Sequence, residues 1–302
     1  MYFVKKIIHS IVLFSILAAG AGMTGCVSTP RVEGKEEVFS ETQEDASVTV
    51  HYFDMGQGNA SLVESGGEYM LIDTGNYKDV NKLKALLEAE GVTKLNYMVA
   101  THPHADHIGS LATIIREYEI DHLLMPDVAV DTKTYQVAVD AAGKKNLAMI
   151  HPEVGSTYPL GEVTFQVLAP GGSSYEEIND YSIALRLTCG TADFLWTGDA
   201  ESLSEQEMLE SGLTLEAEVY HAGHHGSYSS STVEFLKAVD PEYVVISCGQ
   251  DNEYGYPHEE VLERLQEMGS RVFVTALEGH LQVDCQGNEL VWTSESEMTN
   301  QR

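Results

Sequence analysis

Positive charge is scarce in this 302-residue chain: 17 lysines and arginines stand against 47 aspartates and glutamates, a formal balance of −30. Non-specific nucleic-acid binding rests on neutralising phosphates with cationic side chains, so a protein that wraps long DNA or RNA is disfavoured. A small phosphorylated substrate held by metal ions is not. Cysteine is also sparse, with four in all. Cys189, Cys248 and Cys285 sit in or beside apolar strand-like runs, without the paired spacing of a zinc knuckle or a dense disulfide frame. They read as buried thiols, with one disulfide among them left open. Beyond residue 25 no apolar run approaches the roughly 20 residues that a spanning helix needs.

The first 25 residues are different in kind. Lys5 and Lys6 precede the apolar run IIHSIVLFSILAAGAGM, followed by Thr24, Gly25 and Cys26. A basic start, an apolar middle and small residues before a cut make a secretory signal. The cysteine after the small residues resembles a bacterial lipobox, with Met23 where leucine is usual. Residues 1–25 are therefore expected to be a lipoprotein-type signal peptide, and Cys26 to carry a membrane lipid. An uncleaved membrane helix is the alternative; either way the body is expected outside the cytoplasm, tied to a membrane. Removing 1–25 takes away two lysines and no acid, which moves the balance to −32. Residues 27–47 are polar and acidic and read as a disordered tether behind the lipidated Cys26.

From VTVHYFD (48–54) strand-like and helix-like segments alternate. The stretch 78–91 has helical spacing at Val80, Leu83, Leu86 and Leu87 and closes on Gly91. Strand patterns dominate 156–197, and the strand–helix rhythm then repeats to ELVWT near residue 293. Two strand-rich, helix-capped halves predict an α/β protein of the αββα sandwich type, one domain over 48–293 with a polar tail at 294–302.

THPHADH, residues 101–107, holds three of the chain's 12 histidines and lies between the apolar strand LNYMVA and a predicted helix. Open α/β sheets place ligands at such strand exits. His102 and His104 alternate, so on extended backbone they point the same way and can share one ion, while Asp106 and His107 face a second position. Imidazole and carboxylate together suit zinc, or manganese and iron in harder surroundings. Other strand ends add to the set. Asp199 in TGD can bridge two ions, the GHHGS turn offers His224 or His225, and Asp73 in DTG can orient a ligand histidine. His51, His122, His221 and His280 fall elsewhere and read as structural.

With all four strand ends in order, the chain resembles the metallo-β-lactamase superfamily. Within it, FDMGQGNASLVE (53–64) and the block from AGHHGS through NEYGYPHEEVLERL are similar to ComEC-type competence proteins and secreted phosphorylcholine esterases. The resemblance covers residues 48–285. It implies a metallo-β-lactamase-like fold, a binuclear centre of two divalent ions, zinc first, and hydrolysis by a hydroxide that bridges them, often of phosphodiesters. Mapped onto this sequence, His102 and His104 would hold the first ion, and Asp106 and His107 the second. Asp199 would bridge, and His224 would be the last ligand, preferred over His225. His225, Ser227 and His258 would contact phosphate or protonate the leaving group, with Asp106 and Asp199 also in catalytic positions. Three departures stand out. NDYSIALRL (179–187) occupies the place of a usual ligand histidine, Asn59 replaces an aspartate, and Tyr256 replaces the histidine of "GHP". The expected function is a metal-dependent phosphodiesterase acting outside the cytoplasm on a small phosphorylated substrate or a cell-envelope component. Hydrolysis of a lactam, lactone or thioester, or an extracellular nuclease linked to DNA uptake, is the alternative.

Overall fold

The computed structural model describes residues 46–287 and 289–296. The expected signal, Cys26, almost all of the expected tether and most of the tail lie outside these residues. Ser47, the last tether residue, already opens the first strand, and Ser294, the first of the tail, closes the last.

In chain order the described strands are β1 (Ser47–Tyr52), β2 (Ser61–Ser65), β3 (Glu68–Ile72), β4 (Lys94–Val99), β5 (Glu119–Leu124), β6 (Met149–Ile150), β7 (Thr157–Leu160) and β8 (Val163–Ala169). After them come β9 (Ala184–Cys189), β10 (Ala192–Trp196), β11 (Val219–His221), β12 (Tyr243–Ile246), β13 (Arg271–Val274), β14 (Leu281–Gln286) and β15 (Glu289–Ser294). One sheet runs β15-β14-β1-β2-β3-β4-β5-β6 and the other β13-β12-β11-β10-β9-β8-β7.

The helices are α1 (Val80–Ala89), α2 (Ala105–Ile108), α3 (Leu111–Glu117), α4 (Lys133–Lys145), α5 (Ser202–Glu210), α6 (Val233–Val239), α7 (Glu259–Met268) and α8 (Thr275–Glu278). They cover the outer faces, so the inner strands are apolar on both sides. Between the sheets lie Tyr52, Val99, Phe165, Leu185, Phe194, Trp196 and Val245. On one outer face Leu62, Leu71 and Met98 meet Leu83 and Leu87 of α1 and Leu111, Ile114 and Ile115 of α3. On the other, Leu195, Tyr220 and Val244 meet Phe235 and Leu236 of α6 and Val261 and Leu265 of α7. Each fully buried side chain of this size contributes about 1.5–3 kcal/mol. The arrangement is the expected αββα sandwich.

The long helix α4 has no counterpart in the sequence pattern. The buried face of α4 is Ala138, Ala141 and Ala142, so apolar periodicity is weak there. Its start is instead fixed by Thr132, whose side chain accepts from the Tyr135 amide, and its end by Asn146 in the left-handed region.

The topology sets where chemistry gathers. β3, β4 and β5 pair in parallel, as do β10, β11 and β12. The carboxyl ends of each trio therefore lie on one edge of their sheet, the edge at which open α/β sheets hold ligands.

Candidate metal centre

Each proposed ligand leaves the carboxyl end of a parallel strand. β3 delivers Asp73, β4 delivers His102 to His107 through α2, β10 delivers Asp199, and β11 delivers the His224-His225 turn. The loop after β1 supports this group through its backbone. The Asn59 amide donates to Asp106 O at 3.1 Å and the Gly75 amide to Asn59 O at 2.8 Å. A Cβ on Gly58 would stand 2.8 Å from both Asp106 O and Gly75 Cα, so only glycine fits there. The "GQG" motif is thus a cradle for the metal loop.

Two groups of ligand atoms converge. In the first, His102 Nε2 lies 3.0 Å from His104 Nδ1 and 3.6 Å from Asp199 Oδ2. In the second, His107 Nε2 lies 3.1 Å from Asp199 Oδ1, and His225 Nε2 lies 3.3 Å from Asp106 Oδ2 and 3.7 Å from Asp199 Oδ2. Asp199 belongs to both. His102, His107 and Asp199, and Asp106, His107 and His225, are each close enough to share an ion; His104 falls in neither trio and joins the first group only through its 3.0 Å contact with His102.

The imidazoles of the second group are aimed from behind. His107 Nδ1 is 2.7 Å from Asp73 Oδ2, and Asp73 itself accepts from the Thr101 amide and hydroxyl, both at 2.8 Å. His225 Nδ1 is 2.9 Å from the Ser247 carbonyl, which can only accept. In the neutral rings the proton therefore sits on Nδ1 and the Nε2 lone pair faces the cluster.

Three buried atoms carry the test of fit. His107 Nε2, His225 Nε2 and Asp199 Oδ1 are buried and make no well-aligned hydrogen bond among the described residues; their contacts, at 3.1 to 3.7 Å, are ion-pair contacts with one another and with Asp106. Buried polar atoms are ordinarily hydrogen-bonded, and three that instead point at one another are what ligands of an ion look like. The donor set, imidazole with carboxylate, fits a divalent transition ion.

The electrostatics point the same way. Burial disfavours charge on His107, but Asp199 and Asp73 hold its imidazole well above the usual range. Burial also opposes charge on Asp199, yet His107, His225 and His102 hold its carboxyl well below the carboxylate range. His102 is pushed well down by burial and by the neighbouring His107. Without a cation the cluster thus keeps a proton on His107, and an ion would take the place of that charge.

His225, rather than the His224 preferred from the sequence, is the imidazole set against Asp106 and His107. His224 Nε2 is 4.0 Å from Asp199 Oδ2, and its Nδ1 is 3.2 Å from Glu201 Oε1. The reason is local backbone. Both residues are left-handed, at φ 51° and 57°, so strand alternation no longer sets which ring turns inward.

His104 is exposed and borders the cleft. Ser227 and His258 are not brought to the ligand cluster. Ser227 Oγ bonds Ser229 Oγ at 3.0 Å, and His258 sits at the N-cap of α7 with Nδ1 accepting from the Tyr228 amide at 3.0 Å. Neither lines the cleft.

That cleft, about 320 Å³, is walled by Gln57, Asn179 and Tyr254 as well as by Tyr256 and His224, and of the ligands Asp106, Asp199 and His225 reach it with His104. Asn179 donates to Glu201 Oε1 at 2.9 Å while its own Oδ1 is buried and unpartnered. Glu201 escaped the sequence reading although it stands two residues beyond Asp199, at the same strand exit. Of the histidines read as structural, His221 Nε2 meets Ser247 Oγ at 2.9 Å, His280 Nδ1 accepts from the Asp54 amide, His51 Nε2 lies 3.5 Å from Glu90 Oε2 and the His122 ring stacks on Tyr97.

A two-sheet sandwich with imidazoles and carboxylates meeting at its strand ends defines a metallohydrolase class. The chain belongs to the metallo-beta-lactamase superfamily, whose family model matches residues 53–250. Among curated proteins it is 28% identical over 251 residues to "ComE operon protein 3" of Bacillus subtilis, covering 77% of this chain and 32% of that one. It is 31% identical over 245 residues to "Competence protein ComA" of Neisseria gonorrhoeae, covering 80% and 32%. The chain thus spans about a third of the length of these relatives. Among solved structures, the metallo-beta-lactamase fold protein YhfI of Bacillus subtilis superposes with a TM-score of 0.51 at 12% identity, over 82% of this chain and 100% of that one.

Proposed function

We propose that this superfamily hydrolase is a phosphodiesterase that uses two divalent ions, zinc first, on small phosphorylated molecules or a phosphorylated cell-envelope component. The observation that carries the reading is the buried cluster of His107, His225 and Asp199 atoms with no well-aligned hydrogen bond, beside a cleft that no lysine or arginine lines among the described residues. With no cationic side chain lining the cleft among the described residues, ions held at this cluster would meet the phosphate charge. Bound there, divalent ions supply Lewis acidity and a water acidic enough to act as nucleophile near neutral pH. His102 and His104 would hold one ion and Asp106, His107 and His225 the other, with Asp199 shared. Asp73 and the Ser247 carbonyl hold His107 and His225 in the ligating tautomer. The Tyr256 hydroxyl, 3.3 Å from His224 Nε2, and His224 itself form the wall on which a substrate oxygen can be oriented.

In the same reading the enzyme works outside the cytoplasm, held to a membrane by a lipid on Cys26. Long nucleic acid is a poor substrate, because residues 195–235, which supply Asp199, His224 and His225, contain no lysine or arginine at all. Side-by-side kcat/KM values test the proposal. Metal-loaded protein should turn over bis-p-nitrophenyl phosphate and p-nitrophenyl phosphorylcholine well above nitrocefin. Preference for nitrocefin would make it a carbonyl hydrolase. Efficient cleavage of an oligonucleotide, falling steeply with salt, would reveal a basic groove and overturn the charge argument.

A further inference from the structure

Away from the metal cluster, the two sheets come into backbone contact at one corner. There the turn between β9 and β10 lies against the start of β1 and the turn after β14. The Thr191 amide donates to Gly287 O at 3.2 Å, and the Gly287 amide donates to Ala46 O at 3.1 Å. At Gly190, φ 60°, a Cβ would stand 2.0 Å from Gly287 O, so the approach requires glycine. Two thiols face each other across this junction. Cys189 ends β9 in one sheet, and Cys285 lies in β14 of the other. Cys189 Sγ is 3.8 Å from Cys285 O, and Cys285 Sγ is 3.7 Å from Cys189 O. Both residues are almost fully buried, at 0% and 2% exposure, and both are free thiols.

We infer that Cys189 and Cys285 are a disulfide site that fastens one sheet of the sandwich to the other. The hydrogen bonds around Ala46, Thr191 and Gly287 hold the two strand ends together at this corner, and each sulfur already lies within 4 Å of the other residue's carbonyl oxygen. The two thiols also perturb each other. The Cys285 thiol pulls the Cys189 thiol below its usual range, and the same contact pushes Cys285 far above it. The reaction joins the two Sγ atoms, and the two protons and two electrons released reduce a low-molecular-weight disulfide to two thiols. The third thiol of the fold, Cys248, is buried and pushed up to about 11, chiefly by burial, which makes it a poor nucleophile.

The bond would join residues 96 apart in sequence. Constraint of so long a loop in the unfolded chain should raise the melting temperature by roughly 5–15 °C. The test starts from the full chain, reduced and unfolded, so that burial cannot block the reaction. It is refolded in a reduced/oxidised glutathione mixture, trapped with an alkylating agent and digested without reductant. The expected result is a linked peptide pair containing Cys189 and Cys285, with a melting temperature that falls on reduction. Cys189→Ser and Cys285→Ser should each abolish that fall, while Cys248→Ser should keep it. Recovery of both thiols alkylated at equilibrium, or a linked protein that melts below the reduced one, would overturn the inference.

Discussion

Replacing Asp73 with asparagine probes how the centre is held without touching a ligand. Asp73 is 1% exposed and adopts φ 61°, a conformation asparagine also tolerates, so the backbone has no reason to move. An asparagine Oδ1 can still accept from the Thr101 amide, now bonded to Asp73 at 2.8 Å. Its NH2 would then face His107 Nδ1, at present 2.7 Å from the carboxylate. An amide nitrogen only donates, so Nδ1 must become the acceptor and the ring proton must move to Nε2. The lone pair directed at the cluster is lost unless the ring turns. Loss of such a supporting carboxylate weakens metal binding by about 10–100-fold, or about 1.4–2.8 kcal/mol. Competition against a chromophoric chelator at neutral pH measures this, with melting of the chelated protein as the check on folding. Wild-type affinity in a folded Asp73→Asn protein would refute the orienting role.

His225→Ala should lose about one ion per chain by elemental analysis, whereas His224→Ala should retain its ions; the reverse would restore the ligand assignment favoured by sequence. Gly58→Ala should destabilise the fold by about 1–3 kcal/mol through contact with Asp106 O and Gly75 Cα, seen as a lower denaturant midpoint and weaker metal retention; unchanged values would show that the loop has slack. The sign of the pH dependence follows from His107, whose folded value is raised. Its contribution is fully present below about 6.5 and is lost as pH rises through the folded value. Chelated protein should therefore melt lower as pH rises from about 6.5 towards 9, and metal loading should suppress that fall. A chelated protein that gains stability over that range would contradict the assignment.

Much of the site was legible because strand ends are legible. Apolar runs that stop at His102, Asp73, Asp199 and the GHHG turn mark loops, and imidazoles there have no turn-making purpose. Choosing between His224 and His225 was not possible from spacing, since two consecutive left-handed residues break the alternation that assigns faces in a strand. Asn179 and Glu201 were invisible as a pair because the 3-10 turn Ile178–Tyr181 brings them together across 22 residues. The helix α4 was missed for a different reason: alanine buries little area, so its inner face resembles a solvated stretch. The position of β1 between β14 and β2 also lies beyond local pattern, because it depends on pairing residues at opposite ends of the fold.

Anomalous diffraction at the metal absorption edge, from crystals of the loaded protein, tests the central claim most directly. Two peaks are predicted, one touching His102, His104 and Asp199 and the other touching Asp106, His107, Asp199 and His225. Peaks elsewhere, or none at these residues after loading, would contradict the account.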